Sequence, residues 1–156
     1  MTKHFLFLLG LFTLVGCENN RYFEANKSYE KGVWEYSNPA SFDFDVSDTE
    51  QPFDLMFTLR NETKYPYNNI WIFVAYTAPS GKAFTDTVEC PLAYPNGQWI
   101  GSGIGDMVDS KIVFRSGYKF KEKGMHNITF THGMRQEALS PIYDVGLRLE
   151  YTNGSE

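Results

Sequence analysis

Apolar and polar residues alternate through most of this chain. Phe42, Phe44 and Val46 are interleaved with Ser41, Asp43 and Asp45, and Leu55, Phe57 and Leu59 with Met56, Thr58 and Arg60. The same rhythm returns at Ile128 and Phe130 among Asn127, Thr129 and Thr131. It returns again at Val145, Leu147, Leu149 and Tyr151 among Gly146, Arg148 and Glu150. A strict period of two predicts strands with one buried and one wet face. Ile70 to Ala78 differs: Ile70, Ile72, Val74 and Tyr76 lie on one side, and Trp71, Phe73 and Ala75 on the other. Both faces are apolar, so this strand is expected to be central or covered on both sides. Lys82 to Cys90 and Lys111 to Phe114 are further strand candidates. Turn residues separate them at Pro79-Ser80-Gly81, Pro95-Asn96-Gly97 and Ser116-Gly117. Met134 to Leu139 alone predicts helix, one or two turns ending before Pro141. Short strands at this spacing predict an all-β fold, a single antiparallel β-sandwich of jelly-roll-like topology.

The first residues obey another pattern. An apolar run from Phe5 to Gly16 follows Lys3 and His4 and closes on Leu14-Val15-Gly16-Cys17. The run has the length of a signal-peptide core and is too short for a spanning helix, which needs about 20 apolar residues. An apolar residue, a small residue, glycine and cysteine form a bacterial lipobox. Val15 and Gly16 suit a narrow cleavage groove, and the Cys17 thiol takes a diacylglyceryl group. Cleavage frees the Cys17 amine for a further acyl chain, palmitate being representative. The expected organisation is a lipoprotein signal peptide over residues 1–16, a lipid anchor and tether over 17–30 running into the first strand, and a β-sandwich domain over 31–156.

Charge and cysteine content narrow the function. Removing residues 1–16 from the 156 leaves 140, one domain's worth. The chain carries a net charge of −5, so it gains no counterion-release energy from nucleic acid. With Cys17 committed to lipid, Cys90 has no intramolecular partner, and it shares parity with Val88. It reads as a small buried hydrophobe rather than a nucleophile.

Other constellations favour structural readings. His126 and His132 share parity with Ile128 and Phe130, but six residues of strand span about 20 Å, too far for one metal. They read as the rims of a buried face. Asp43, Asp45 and Asp48 lack the glycine and bidentate glutamate of a calcium loop and read as a solvated face. Gly97-Gln98-Trp99-Ile100-Gly101-Ser102-Gly103-Ile104-Gly105-Asp106 lacks the strand–helix context of a phosphate cradle. Its glycines read as turns, a bulge or close packing around Trp99, with Asp106 a turn or capping residue. No nucleophile elbow or paired acid and base stands out, so we expect no enzyme, no catalytic residue, no metal and no cofactor. Among 26 aromatic residues, Tyr65-Pro66-Tyr67 before Asn68-Asn69 is the candidate partner-binding loop, because Pro66 stiffens it and rigid tyrosines anchor contacts well. The opposing reading has its tyrosines pinned to the core.

A series of distinct short blocks runs in order along the chain. They are the lipobox at Cys17, Arg21-Tyr22-Phe23-Glu24, Gly32 with Trp34, and Gln51-Pro52-Phe53-Asp54-Leu55. Leu59-Arg60-Asn61 and Tyr65-Pro66-Tyr67-Asn68-Asn69-Ile70 follow. Pro79-Ser80-Gly81-Lys82 then precedes Asp86-Thr87, Gly97-Gln98-Trp99 leads into Gly101, Gly103, Gly105 and Asp106, and the series ends on Asp144-Val145-Gly146-Leu147-Arg148-Leu149-Glu150. Together they resemble the gliding motility lipoprotein family of GldH type, from gliding Bacteroidota. The resemblance implies a role in rapid surface gliding, beside other lipoproteins and a type IX secretion apparatus. It carries over one defined position, Cys17. The expected function is thus a lipid-anchored, non-enzymatic scaffold or stabilising partner of the gliding and secretion machinery. The expected location is the cell membrane or outer membrane, with the domain in the periplasm or on the cell surface. The expected contacts are that membrane and other gliding or secretion proteins, with no small-molecule substrate. The alternative is a glycan- or cell-wall-binding β-sandwich module.

Overall fold

Each alternating segment becomes a strand. The structure, a computed structural model, describes residues 20–152. Its ten strands are β1 (Arg21–Ser28), β2 (Trp34–Glu35), β3 (Ala40–Val46), β4 (Phe53–Glu62), β5 (Asn69–Thr77), β6 (Ala83–Pro91), β7 (Met107–Tyr118), β8 (Gly124–His132), β9 (Ala138–Leu139) and β10 (Ile142–Tyr151). One sheet runs β1-β10-β4-β7 and the other β3-β8-β5-β6, while the short β2 and β9 pair with each other. Every pairing is antiparallel. Counting only the eight long strands in chain order, the sheets read 1-8-3-6 and 2-7-4-5. That interleaving is the jelly-roll winding, two Greek keys folded onto each other.

The inward parity expected of β3, β4, β8 and β10 is the observed one. Phe42, Phe44 and Val46 are buried while Ser41, Asp43 and Asp45 face solvent. Aromatic rings join the two sheets. Phe57 of β4 meets Phe130 of β8 edge-on, with centroids 5.2 Å apart at 88°. Phe53 reaches Phe120, which in turn meets Phe44. Edge-to-face pairs add about 0.5–1.5 kcal/mol each beyond the area they bury.

Three segments differ from their pattern. Arg21–Ser28, polar enough to pass for tether, is an edge strand in register with β10. Its aromatics hold it: Tyr22 packs 4.8 Å from Phe53, and Phe23 5.6 Å from Phe44. Met134–Leu139 is not helical. Glu137 O accepts the Tyr36 amide at 2.7 Å, and Leu139 pairs with Trp34, so tertiary pairing overrides a weak helical preference. β5 is internal to its sheet, as expected, but its outer face is open enough that Trp71 is 39% exposed.

The winding gives the sandwich two distinct ends. The chain enters at Arg21, opposite Glu150 of β10, beside the connections 47–52, 78–82 and 119–123. The connections 29–39, 63–68, 92–106 and 133–141 gather at the other end. The ten residues of β10 separate the two by about 30 Å.

Candidate functional site

Cys17 lies outside the described residues. The candidate partner-binding loop Tyr65-Pro66-Tyr67 sits at the end of the sandwich far from the chain's entry. There Tyr65 is only 4% exposed. Its hydroxyl donates to Asn69 O at 3.4 Å, and burial pushes its pKa above the ordinary tyrosine range. Tyr65 is therefore a core residue and offers no contact face. Pro66 is exposed, and Tyr67 is half-buried with its ring edge-on to Tyr65 at 5.5 Å. The Tyr67 hydroxyl accepts a hydrogen bond from Gln136. Of the three loop residues, Pro66 and Tyr67 remain accessible.

Tyr67 opens instead onto a groove that periodicity does not reveal. Trp71 and Asn69 form its β5 wall, and Met134, Arg135 and Gln136 the opposite wall. The two walls are tied together. Gly133 N donates to Trp71 O at 2.6 Å, and the Trp71 amide donates to Met134 Sδ at 3.4 Å. A Cβ on Gly133 would sit 3.3 Å from the Phe73 ring, so glycine sets how closely this strap approaches the sheet. Asn69 Nδ2 donates to Glu89 Oε1 at 2.6 Å. The groove thus offers one exposed indole, one half-exposed phenol, a thioether and several planar polar groups. The groove joins β5 to a strap more than 60 residues later in the chain, a proximity that sequence patterning does not carry.

The glycine-dense connection between β6 and β7 is a small hairpin of its own. Ala93 bridges Trp99, and Ser102 bridges Asp109. Gly97 turns at φ +84°, while Gly101 and Gly103 pack against the backbone of Asp109 and Met107. The expected turn is present at Gly97, while the close packing of Gly101 and Gly103 is against the start of β7 rather than around Trp99. The hairpin also holds out Tyr94, Ile100 and Ile104, at 50%, 43% and 93% exposure.

The histidines occupy opposite ends of one buried face. His126 Nδ1 shares a hydrogen bond with the Tyr76 hydroxyl at 2.6 Å, and its Nε2 lies 2.8 Å from Glu122 O. His132 packs edge-on against Trp34 at 5.3 Å. Asp48 Oδ1 accepts the Glu50 amide, a local turn bond. Cys90 is fully buried, and burial pushes its thiol up to about 12, with Glu89 adding to the shift. Among the described residues, no group of three or more His, Cys, Asp or Glu side chains is placed to hold a metal ion. No helix among them is long and apolar enough to cross a membrane.

The profile of the family described as GldH lipoprotein matches residues 21–149. A gliding motility lipoprotein GldH of Flavobacterium johnsoniae is 33% identical over 152 residues, covering 93% of this chain and 94% of that protein. A GldH homolog of Christiangramia forsetii is 29% identical over 153 residues, covering 94% and 93% respectively. Among solved structures, an infectious bursal disease virus structure (Gx strain) matches 85% of this chain and 34% of its own, at 10% identity and a TM-score of 0.26.

Proposed function

The chain belongs to the GldH lipoprotein family, and on that footing we propose that it serves gliding motility as a lipid-anchored, non-enzymatic scaffold of the gliding and type IX secretion machinery. The observation that carries this reading is the difference between the two ends of the sandwich. Arg21 enters β1 only four residues after Cys17. A lipid on Cys17 would hold the entry end within about 14 Å of the bilayer. More than one acyl chain would make that hold stable. The far end, about 30 Å away, then presents Tyr67, Trp71, Tyr94, Ile100 and Ile104 to a partner. Pre-formed aromatic and aliphatic contacts on a rigid scaffold are what protein recognition uses.

The test is in cells. Cys17→Ala should release the protein from the membrane fraction and stop gliding. If that variant still fractionates with membranes and supports gliding, the anchor has no role. A photo-crosslinker at Tyr67 of the anchored protein should capture gliding or secretion components, and none would be captured if the domain is no scaffold.

One observation favours a second reading, a glycan-binding module. The Trp71 face lies among Asn69, Arg135 and Gln136, and planar polar side chains around an aromatic face suit a sugar ring. Under that reading the protein binds isolated peptidoglycan or polysaccharide and Trp71→Ala abolishes it. Under the scaffold reading there is no such binding to lose.

A further inference from the structure

We infer that the connection between β6 and β7 docks on another protein, its outward Ile104, with the exposed Tyr94 and Ile100 of the same connection, meeting an apolar surface that carries lysine or arginine. The inference rests on the scaffold reading and supplies its contact surface and the chemistry of the partner.

Exposure comes first. A single exposed apolar side chain is ordinary. Here three project from one connection, and Ile104 has 93% of its surface in water. Nothing in the fold explains Ile104, because it contributes almost nothing to the core.

Rigidity comes second. The Ser102 amide donates to Asp109 O at 3.1 Å and the Asp109 amide to Ser102 O at 2.8 Å. Ile100 N donates to Leu92 O, Tyr94 N to Gln98 O, and Thr63 N to Asp106 O, each at 2.8 Å. At Gly101 an added Cβ would come within 2.5 Å of Asp109 O, and at Gly103 one would overlap Met107 O. The backbone therefore lies flat on the start of β7, and the side chains between the glycines are held outward. A contact surface ordered beforehand has little freedom left to lose on binding.

Placement and charge identify the occupant. The hairpin lies at the end away from the chain's entry, so it does not face the bilayer that a Cys17 anchor would occupy. Between Glu89 and Lys111 the chain carries Asp106 and Asp109 and no lysine or arginine. Asp109 is held by Arg60 at 2.7 Å, which leaves Asp106 beside Ile104 without an ion pair among the described residues. The Asp106 carboxylate opposes anionic headgroups and complements a basic group on a partner. An apolar side chain beside such a carboxylate fits a protein surface better than a lipid one.

The test uses the full-length protein in gliding cells, with a photo-crosslinking residue at position 104. The same probe at Met125, 58% exposed at the opposite end, serves as comparison. The expected result is a discrete protein adduct from position 104 and not from 125. Its yield should fall about tenfold or more with Ile100→Asp, as for loss of a contact that dominates binding, and fall likewise with Asp106→Lys. Ile104→Asp should slow gliding while abundance and melting temperature stay unchanged, since the side chain supports no fold contact. Adducts to lipid, no adduct at 104, insensitivity to both variants, or normal gliding by Ile104→Asp would each overturn the inference. Capture from Tyr67 with silence at 104 would remove the hairpin assignment and leave the scaffold reading standing.

Discussion

Mild acid should destabilise this domain through one side chain, His132. Its ring is fully buried, edge-on to Trp34 at 5.3 Å and to Tyr36 at 5.7 Å. Neither ring nitrogen has a hydrogen-bond partner of normal geometry among the described residues. Burial depresses the imidazole pKa below its ordinary value. The backbone of Glu137 and Trp34 pulls the other way without cancelling the shift. The unfolded chain therefore takes up this proton first. Between the unfolded value of about 6.5 and the lower folded value, the unfolded state binds more protons, so stability falls as pH falls. Above about pH 7 both states are neutral and the group contributes no slope.

The steepest slope one group can give is about 1.4 kcal/mol per pH unit, so the loss by pH 5 is bounded at about 2 kcal/mol. In a domain of this size that is several degrees in melting temperature. Urea unfolding between pH 7.5 and 5.0 reads it, in the parent and in His132→Phe. The variant's overall stability will differ, and only the change with pH is compared. The parent should lose stability over this range by up to about 2 kcal/mol more than His132→Phe. Parallel pH profiles would refute the reasoning, for a removed histidine must remove its own linkage.

Phe57 is fully buried against Phe130 at the centre of both sheets, so Phe57→Ala should lower unfolding free energy by about 3–5 kcal/mol; a urea midpoint near the parent's would show a core that collapses around the gap. Cys90, with its thiol pushed up to about 12 and no exposed surface, should resist a thiol reagent in the native protein at pH 8 and react once denatured; rapid native labelling would mean the strand opens locally. Gly103→Ala should lift the hairpin off β7 and speed amide exchange at Ser102 and Asp109, with the core strands exchanging as before; unchanged exchange at both amides would show that the contact yields elsewhere.

What is legible in the sequence follows from how far each signal reaches. Parity is local: two residues apart means the same face. Phe42, Phe44, Ile128, Phe130, Leu147 and Leu149 could therefore be assigned inward without knowing their partners, and the same argument put His126 and His132 at the ends of one buried face. Parity cannot say which strands lie next to each other, so it could not show the groove. Trp71 belongs to a strand that is apolar on both sides. Whether its outer side is covered depends on the strap carrying Gly133 and Met134, 62 and 63 residues later. Edge strands fail for the opposite reason: β1 is too polar to signal burial, and only its pairing with β10 and the seating of Tyr22 and Phe23 make it part of the sheet. In Tyr65-Pro66-Tyr67, residue type suggests contact anchors, yet two tyrosines two residues apart serve different purposes, one filling the core and one lining the groove.

The hairpin carries this furthest. Glycine density pointed to close packing, and Gly101 and Gly103 do pack closely. Once the backbone itself fills the space against β7, no room is left there for the side chains beside it, and Ile100 and Ile104 must point elsewhere. The packing that accounts for the glycines is thus also the cause of the exposed isoleucines, and a local feature of the fold becomes the surface assigned to a partner.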